Sequence, residues 1–596
     1  MTKSPSFPIL AALLLAAAHA HAGDWPAWGG SDLGRNMVSS EKGLPDTFKP
    51  GDKSTTGEGM LPGSTENVRW VVRLGNFICG NPTVADGRVF IGTDDASLQN
   101  DSRLKRTRGG MVWCLDEKTG HMLWRLPVPA RPKDRLPENA HYGQQNLGVC
   151  SSPAVVGHRA YVLTNSCEVL CLNVKGQADG NQGPFTDEGQ YIAGAKNPPV
   201  ALEKTDGDII WKYDLVDELG ICPHDVAACS VLVDGRILYV VSANGVNHEH
   251  TFCLRPDAPS FIALDALTGK LLATDTEGLG HRLWHCLWSP PTVGVVNGKK
   301  LVFFGGGDGV CYAFEALQDV PAEPIHFKKV WSYDCDPPNY RDPLGDGKPF
   351  NYYIGDKRKK YTTNTNDGTF LGPSEIIAAP VFHNGRVYCT IGQDPTHGRG
   401  RGILNCIDAS KTGDITHTGC LWTYEGIERS ISSVAISGGL LYATDISGHI
   451  HCLDEKTGKP YWVYETGVDT WSTPLVADGK VFVTTNKKVV ILAAGKEMKL
   501  LSEIPLGANS YATPVAANGT LFFASQSYLW AVQKGATLIP PPVAAAAPAP
   551  APVAEAAPAS APTAVAAPAP AAPASSPVAP ASSPVAPATS PRSALF

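Results

Sequence analysis

The sequence predicts an all-β fold, an eight-bladed β-propeller of four-stranded antiparallel blades whose tryptophans dock one blade onto the next. Three observations support this expectation. Two half-motifs alternate along the chain, eight copies of each. The last three units repeat every 40 residues, and tryptophans recur at one place in the repeat. A repeat of about 40 residues is the length of one propeller blade, and a closed ring leaves few exposed sheet edges.

The first half-motif is a proline or small residue, a β-branched pair, a glycine turn and a short apolar strand. Alternating apolar residues around a glycine turn are typical of a hairpin. In the last three units this half-motif recurs at Val434, Pro474 and Pro514. The eight copies begin at Asn81, Ser152, Ser230, Pro290, Ala379, Ser433, Thr473 and Thr513.

The second half-motif is a strand that runs into an Asp-x-x-Thr-Gly turn, with tryptophan four residues after the glycine. Residues 113–124 and 451–462 are nearly identical copies, and a third copy has Ala273 in place of the tryptophan. A buried indole removes on the order of 200 Å² of apolar surface from water, so these side chains are expected to pack between blades. The docking residues are predicted to be Trp124, Trp211, Trp331, Trp422 and Trp462. The ring is expected to close between Trp70 and the strands at 524–532.

The two ends of the chain are expected to lie outside the propeller. Residues 1–22 contain Lys3, an apolar stretch and Ala20-His21-Ala22, which is the pattern of a secretory signal peptide. Residues 540–596 consist mainly of Pro, Ala, Ser and Val, a composition typical of a disordered tail. The domain prediction is therefore a propeller at 23–535, with insertions at about 175–208 and 336–374, exported to the periplasm or the extracellular space.

Composition excludes some functions. A net charge of −7 argues against a nucleic-acid binder, which needs a basic surface to neutralise phosphates. No segment after the leader reaches the ~20 apolar residues of a membrane span.

The sequence also indicates where a ligand would bind. Residues just before each inner strand converge on one mouth of the central channel, and many of them are polar or aromatic, as a ligand pocket requires. The candidate ligand-binding residues are His141, Gln144, Asn146, His224, Asp225, His281, His285, Trp288, Glu375, Arg429, Trp471, Asn509 and Tyr511. The alternative is that they only satisfy loop backbone. The polar clusters at 244–250 and 393–399 are interpreted as loop structure.

Fifteen cysteines in an exported chain favour disulfides in principle, but the repeats indicate packing. Five cysteines are assigned to the repeat position that Ala263 and Ala531 occupy, and are expected to be core residues. They are Cys114, Cys171, Cys311, Cys406 and Cys452. A metal or disulfide at Cys79, Cys150, Cys229 and Cys286 is the alternative, without support from metal-ligand spacing. No metal site is predicted.

Residues 179–188 contain several oxygen ligands, so Asp179, Asn181 and Asp187 are weak candidates for calcium. The loop has Pro184 and Gln190 where an EF-hand needs glycine and glutamate, which favours a simple turn.

The Asp-x-x-Thr-Gly-x-x-x-Trp unit resembles the tryptophan-docking repeat of pyrroloquinoline quinone (PQQ) propellers. The segment Asp24-Trp25-Pro26-Ala27-Trp28-Gly29-Gly30 resembles the usual opening of those domains. The resemblance covers residues 24–534 and places the chain in the quinoprotein alcohol dehydrogenase-like superfamily. It is a strong signal for fold and a weak one for chemistry.

In an enzyme of this family, the resemblance implies PQQ held between a tryptophan and a disulfide of adjacent cysteines, with Ca²⁺ and a catalytic aspartate. This chain has no Cys-Cys pair and no haem-attachment motif. Arg429, Trp288 and Asp225 are the residues that could anchor a quinone, stack on it and act as base.

The functional prediction is a non-catalytic module or scaffold that binds a small molecule, a glycan or an envelope protein. The alternative is a dehydrogenase that uses PQQ and Ca²⁺ to oxidise an alcohol or sugar, with Asp225 as the candidate catalytic residue.

Overall fold

The computed structural model describes residues 23–57, 59–342, 374–395 and 399–540, and the backbone of the strand pair Tyr353–Ile354 and Lys357–Arg358. These residues form eight antiparallel blades of four strands, which confirms the predicted eight-bladed propeller. The leader at 1–22, the tail beyond 540 and most of the expected insertion at 336–374 lie outside the described residues.

Strands are numbered along the chain, and the first of them, β1 (Val68–Arg73), belongs to the last blade. Blade 1 consists of β2 (Thr83–Ala85), β3 (Arg88–Asp94), β4 (Gly110–Asp116) and β5 (Met122–Val128). Blade 2 consists of β6 (Ala154–Val156), β7 (Arg159–Leu163), β8 (Glu168–Asn173) and β9 (Ile209–Asp214). Blade 3 consists of β10 (Leu232–Asp234), β11 (Ile237–Val241), β12 (Phe261–Asp265) and β13 (Leu271–Thr274). Blade 4 consists of β14 (Thr292–Val296), β15 (Lys299–Gly305), β16 (Val310–Glu315) and β18 (Lys329–Asp334). Two short strands, β17 (Ile325–His326) and β24 (Gly413–Asp414), add parallel edges to blades 3 and 4.

The second half of the ring follows the same pattern. Blade 5 consists of β21 (Val381–His383), β22 (Arg386–Thr390), β23 (Leu404–Asp408) and β25 (Cys420–Tyr424). Blade 6 consists of β26 (Ala435–Ser437), β27 (Leu440–Thr444), β28 (His449–Asp454) and β29 (Pro460–Glu465). Blade 7 is β30 (Leu475–Ala477), β31 (Lys480–Thr484), β32 (Lys488–Ala493) and β33 (Leu500–Pro505), and blade 8 is β34 (Val515–Ala517), β35 (Thr520–Ala524), β36 (Tyr528–Val532) and β1. The remaining pair, Tyr353–Ile354 and Lys357–Arg358, is β19 and β20.

The ring closes where the sequence predicts. Strand β1 pairs antiparallel with β36, and Trp70 lies opposite Ala531. The last blade therefore takes its outer strand from the start of the propeller, while the first strands of neighbouring blades contact one another around the axis. Closure by strands from both ends therefore pairs the described strands across the junction of the ring.

The docking role of the tryptophans is confirmed. Each indole N–H donates a hydrogen bond to a backbone carbonyl of the next blade or its loops. The pairs are Trp70 to Glu117 (2.9 Å), Trp124 to Val174 (2.9 Å), Trp211 to Ala266 (3.1 Å), Trp331 to Ala409 (3.2 Å), Trp422 to Glu455 (3.2 Å) and Trp462 to Gly495 (2.9 Å). Gly120 has φ +71°, and a Cβ there would lie 2.7 Å from the ring of Trp70, so only glycine allows this close contact.

Four of the five core cysteines occupy one repeat position. Cys114, Cys171, Cys406 and Cys452 each lie opposite a docking tryptophan on the adjacent strand. Cys311 does not, because it pairs with Tyr333, and the residue opposite Trp331 is Ala313. The assignment of Cys311 to this position was therefore wrong by two residues, although the thiol is buried in the core. All fifteen cysteines lie in the described residues, and all are free thiols there.

Residues just before the inner strands form a belt of hydrogen bonds around the axis. The backbone N–H of one blade donates to a side-chain oxygen of the next. The links are Asn81 to Ser152 (2.9 Å), Ser152 to Ser230 (2.9 Å), Ser433 to Thr473 (3.0 Å), Thr473 to Thr513 (3.0 Å) and Thr513 back to Asn81 (2.7 Å). In five of the blades, the side chain that opens the repeat therefore satisfies a buried donor of its neighbour.

Residues 24–41, here called the N-terminal strap, contact the inner strands of seven blades and the residues just before the inner strand of blade 3. In seven blades the strap bonds the same inner-strand position, and in blade 3 the side chain of Arg35 bonds the carbonyls of Ser230 (3.3 Å) and Val231 (2.9 Å). The seven contacts are Trp25–Val84, Pro26–Val155, Leu33–Val293, Gly34–Phe382, Asn36–Ile436, Met37–Val476 and Ser39–Ala516. The strap thereby satisfies backbone groups that the innermost strands would leave unpaired.

Helices are few and short. The α-helices are α1 (Glu188–Ala193), α2 (Leu215–Leu219) and α3 (Pro338–Arg341), and the 3-10 turns are Ala96–Asn100, Lys133–Arg135, Gly176–Asp179 and Leu279–His281. Residues 175–208 lie between β8 and β9 and contain α1. Among the described residues, no helix has the length and apolar character needed to cross a bilayer.

Candidate functional site

The candidate site is built from loops on blades 2 to 4. One kind of loop precedes an inner strand, and the other follows the second strand of a blade. Backbone bridges join the two kinds, and they pair Tyr142 with Asp225, Pro223 with Asn244, and Gly245 with Cys286. Polar residues that are far apart in the sequence are thereby held side by side.

Gly245 shows how tightly these loops pack. A Cβ at this position would lie 2.5 Å from the Cβ of His224 and 2.9 Å from the carbonyl oxygen of His285. Because both contacts are shorter than real Cβ contacts, a side chain here would force the two histidine-bearing loops apart. Glycine therefore allows His224 and His285 to approach each other.

The loops gather His141, His224, Asp225, His250 and His285 into one group, called the histidine centre below. The Nε2 atoms of His224 and His250 lie 3.1 Å apart. The Oδ2 atom of Asp225 lies 3.6 Å from Nε2 of His224 and 3.6 Å from Nε2 of His285. His141 contacts the other carboxylate oxygen of Asp225 through Nε2 at 3.1 Å.

The centre is shielded from water, which controls its protonation. Burial lowers the pKa of His224 well below its ordinary value of 6.5, and the nearby His285 and His250 lower it further. Burial also lowers the pKa of His250. Burial alone would raise the pKa of Asp225, but the hydrogen bond with His141 and the nearby His224 outweigh it, so this pKa is lowered. At neutral pH His224 and His250 are therefore neutral imidazoles beside the carboxylate of Asp225.

The backbone of the centre is strained. Asp225, Ala243 and His250 have φ values of 52°, 63° and 56°, in the left-handed region that non-glycine residues rarely adopt. Such conformations cost on the order of 1 kcal/mol or more each and persist only where the surrounding structure holds them. Strain of this kind clusters at binding and catalytic sites.

A second group of acids borders the centre. Possible ligand atoms of Asp225, His285 and Asp394 lie within 4.8 Å of one another. The carboxylate of Glu375 accepts a hydrogen bond from the backbone N–H of Cys286 at 3.4 Å, and burial raises the pKa of Glu375 well above its ordinary value. Arg429 is fully buried and donates to the hydroxyl of Ser374 at 3.2 Å.

Other predicted site residues have different surroundings. The rings of Trp471 and Tyr511 contact each other in a tilted arrangement with centroids 4.4 Å apart, and Asn509 donates to the Tyr511 hydroxyl at 3.1 Å. His281 is 60% exposed at its side chain and pairs with Asp257 at 2.7 Å, so it lies outside the histidine centre. Trp471, Tyr511 and Asn509 therefore form a separate group near the junction of blades 7 and 8.

Two of the three calcium candidates contact neighbouring side chains. Asp179 accepts a hydrogen bond from Asn173 at 2.9 Å and pairs with Lys175 at 3.3 Å. Asn181 donates its amide to the carboxylate of Glu188. Asp187 is the residue before α1. These contacts describe a loop held by internal hydrogen bonds.

A pocket of about 640 Å³ opens beside the histidine centre, between the loops of blades 1 and 2. Asp225 lies on its wall, together with the predicted residues Gln144 and Asn146. The pocket wall combines polar and basic residues with apolar surface from Tyr142, Leu136 and three prolines or alanines of segment 129–132. The cationic side chains on its wall are Arg108, Arg131, Lys133 and Lys196.

Sequence reasoning missed His248, His250 and Asp394, which it interpreted as loop structure. His248 contacts His141 through the two Nδ1 atoms at 2.6 Å, and His250 contacts His224. His250 and Asp394 occupy loops that follow the second strand of a blade. The available signal was His248-Glu249-His250, two imidazoles flanking an acid in one loop.

A separate cluster in blade 6 joins Asp445 to two histidines. Nδ1 of His449 lies 3.0 Å from both carboxylate oxygens, and Nε2 of His451 lies 3.1 Å from Oδ2. Asp445 also accepts backbone N–H bonds from His449 and Glu428. Although burial opposes it, this set of bonds lowers the pKa of Asp445, and the bond with Asp445 raises the pKa of His449.

We expect Asp445→Asn to lower the free energy of unfolding by about 3 kcal/mol, because it breaks a buried charged pair. Asp445 contributes stability above its unfolded pKa of about 4, and His449 contributes stability that is fully present below about 6.5. The difference from the parent protein should therefore be largest between about pH 4 and 6.5 and shrink at higher pH. Urea unfolding at pH 5, 7 and 9 measures it. Asp46→Asn, which removes the exposed partner of a lysine (Lys480) that keeps Asp478, is the control and should change stability by less than about 1 kcal/mol. An equal loss in both variants would contradict the expectation.

Comparison with known proteins agrees with the repeat. The PQQ_2 family model, described as outer membrane protein assembly factor BamB, matches residues 56–183 and 400–501. This match agrees with the docking tryptophans and the eight blades. The findings support a PQQ-like β-propeller of the quinoprotein alcohol dehydrogenase-like superfamily.

Several known proteins are similar to this PQQ-like propeller. A polyvinylalcohol dehydrogenase from Sphingopyxis sp. (strain 113P3) is 22% identical, and the alignment covers 62% of this chain and 71% of the relative. A europium-containing methanol dehydrogenase is 12% identical, with a TM-score of 0.49, and covers 87% of this chain and 90% of the other. BamB from Moraxella catarrhalis is 12% identical, with a TM-score of 0.43, and covers 78% of this chain and 97% of the other.

The residues of this PQQ-like propeller that sequence reasoning assigned to a quinone do not fit one. Trp288 is only 7% exposed, donates its indole N–H to the carbonyl of Val226 at 2.6 Å and meets His285 edge-on. Arg429 is buried against Ser374, and Asp225 is engaged by His141. Trp288 therefore presents no open ring face for stacking, and the cation assigned to a quinone carboxylate is enclosed by protein.

Proposed function

We propose that this protein is an exported, ligand-binding propeller that takes a small molecule with a carboxylate or phosphate group in the pocket beside the histidine centre. The rest of the ring serves as a rigid scaffold for this pocket. The observation that supports the proposal is the excess of positive charge on the pocket wall, in a chain whose net charge is −7.

The charges of the pocket are not all equivalent. Arg131 is held by Asp214 and by Asp217 at 3.4 Å, so its charge is balanced within the protein. Within the described part of the chain, no carboxylate pairs with Arg108, Lys133 or Lys196, and all three are exposed. Three available cations facing one carboxylate favour an anionic ligand, and the fixed fork of an arginine suits carboxylate and phosphate geometry.

The pocket also has the features that orient a small molecule. A volume of about 640 Å³ falls in the range of ordinary ligand sites, roughly 300–1,000 Å³. The amides of Asn165 and Asn197 supply hydrogen-bonding groups, and Leu136 and Tyr142 supply apolar surface. Since the pocket wall reaches Asp225, a bound anion would lie next to the histidine centre.

We expect the purified chain without leader to bind citrate or inorganic phosphate measurably in isothermal titration calorimetry. The double charge reversal Lys133→Glu/Lys196→Glu should weaken binding at least tenfold, because it replaces two attractive charges with two repulsive ones. The affinity of the parent protein should also fall as salt rises.

Lys299→Glu, an exposed charge reversal on the hairpin of blade 4, is the matched control and should leave binding unchanged. Equal binding by the double variant and this control would overturn the proposal. Incubation with PQQ and Ca²⁺, followed by dye-linked oxidation assays, tests the dehydrogenase alternative. Bound quinone with turnover of an alcohol or sugar would favour the dehydrogenase over the non-catalytic binding protein.

A further inference from the structure

We infer that His224, His250 and His285, with Asp225, form a binding site for one divalent transition-metal ion of the zinc type. The inference stands on the geometry of the histidine centre alone. Only its consequence for ligand binding rests on the proposed function.

The spacing of the ligand atoms is that of a metal site. Possible ligand atoms of His224, His250 and His285 all lie within 4.8 Å of one another. A tetrahedral zinc ion with Zn–N distances of about 2.0–2.1 Å holds its ligand atoms roughly 3.4 Å apart. The observed separations of 3.1 Å between Nε2 of His224 and of His250, and 3.6 Å from Asp225 to two imidazoles, bracket this value.

The types of ligand also point to this class of ion. Three imidazoles and a carboxylate suit Zn²⁺, Cu²⁺ and Ni²⁺, whereas calcium and magnesium prefer sets of oxygen atoms only. His224 and His285 are almost fully buried, and neutral imidazole is the form that binds a metal.

Hydrogen bonds outside the ligand set orient it. Nδ1 of His224 lies 2.7 Å from the carbonyl oxygen of Val246, which can only accept, so Nδ1 carries the proton and Nε2 offers its lone pair to the centre. His141 binds the outer oxygen of Asp225 and leaves Oδ2 facing His224 and His285. The carbonyl of Val246 therefore orients His224, and His141 orients Asp225. The hydrogen on Nε2 of His250, which faces His224 in the metal-free state, must move to Nδ1 or to solvent when the ion binds.

The position of the site gives the ion a role in ligand binding. Asp225 belongs both to the metal ligands and to the wall of the 640 Å³ pocket. If the proposed function holds, a carboxylate or phosphate bound there would meet the positive charge of the ion as well as the lysines. Citrate should then bind more tightly to the zinc-loaded protein than to the metal-free protein.

The test uses Zn²⁺ alone on the chain without leader, after removal of metals with a chelator and dialysis. We expect one equivalent of zinc by elemental analysis and by calorimetry. His224→Ala/His250→Ala should weaken zinc binding at least 100-fold, and His281→Ala, which changes an exposed histidine outside the centre, should leave it unchanged. Bound Co²⁺ should show the intense visible absorption of a tetrahedral site.

His250→Gln serves as a milder variant if the double variant unfolds, because His250 lies in a half-buried loop; circular dichroism and thermal melting check its fold. Absence of stoichiometric zinc in the parent protein would overturn the inference. The inference would also be overturned if the double variant kept zinc at parent affinity while Asp445→Asn lost it. That result would place the ion at the blade 6 cluster. Citrate binding to the metal-free protein is measured separately, so a failed metal site and a failed pocket give different results.

Discussion

Replacing Trp70 with alanine is expected to destabilise the protein by about 3–5 kcal/mol, the usual cost of truncating a fully buried tryptophan. Trp70 is 1% exposed, donates to the carbonyl of Glu117 and covers Gly120. It also lies on β1, the strand that closes the ring. The variant should therefore melt at a lower temperature and be cut sooner by protease near the junction of blades 8 and 1.

Trp422→Ala is the comparison for this variant. Trp422 makes the same type of hydrogen bond, to Glu455 at 3.2 Å, but it is only partly buried and does not lie on the closing strand. Its loss should cost less in a urea unfolding measurement. A smaller effect at Trp70 than at Trp422 would show that closure does not depend on this indole.

Replacing Arg35 with methionine should cost about 4 kcal/mol, because it leaves several buried carbonyl groups without a donor. Arg35 is 2% exposed and donates to Trp28, Pro291, Ser230 and Val231. Methionine keeps the apolar stem but removes every donor. Burial lowers the pKa of Arg35 to about 10, so the guanidinium remains charged at neutral pH.

Chemical denaturation at pH 7 measures the effect of Arg35→Met. Arg88→Met removes an arginine that pairs with Asp86 on an exposed hairpin, and its cost should stay below about 1 kcal/mol. Similar losses in the two variants would mean that the strap contributes little to stability.

Much of the architecture could be predicted because each blade repeats one local pattern. The glycine turns, the alternating strands and the tryptophan after Thr-Gly are local signals, so blade number and the closing strand at Trp70 follow from them. The error at Cys311 arose because blade 4 has no Thr-Gly turn to fix the register, so Cys311 was aligned two residues from its true equivalent, Ala313.

The candidate site was harder to predict because it depends on contacts between loops. Position before an inner strand is visible in a repeat, and it pointed to His224, Asp225 and His285. The loop after a second strand is irregular, and nothing local shows that His250 folds back onto His224. That contact depends on Gly245 and on the bridges to the neighbouring blade, which only the tertiary structure reveals.

The strap of residues 24–41 has a consequence for the order of folding. It precedes all the blades in the sequence and leaves the ribosome before them, yet its partners include Ile436, Val476 and Ala516, which are made late. Contacts that span 400 positions or more make assembly slow, since large loops must close before any such contact forms. A chain cut short before blade 8 would therefore leave β1 without its partner strand and the strap without its contact at Ala516, and it should be recognised by proteases as incomplete.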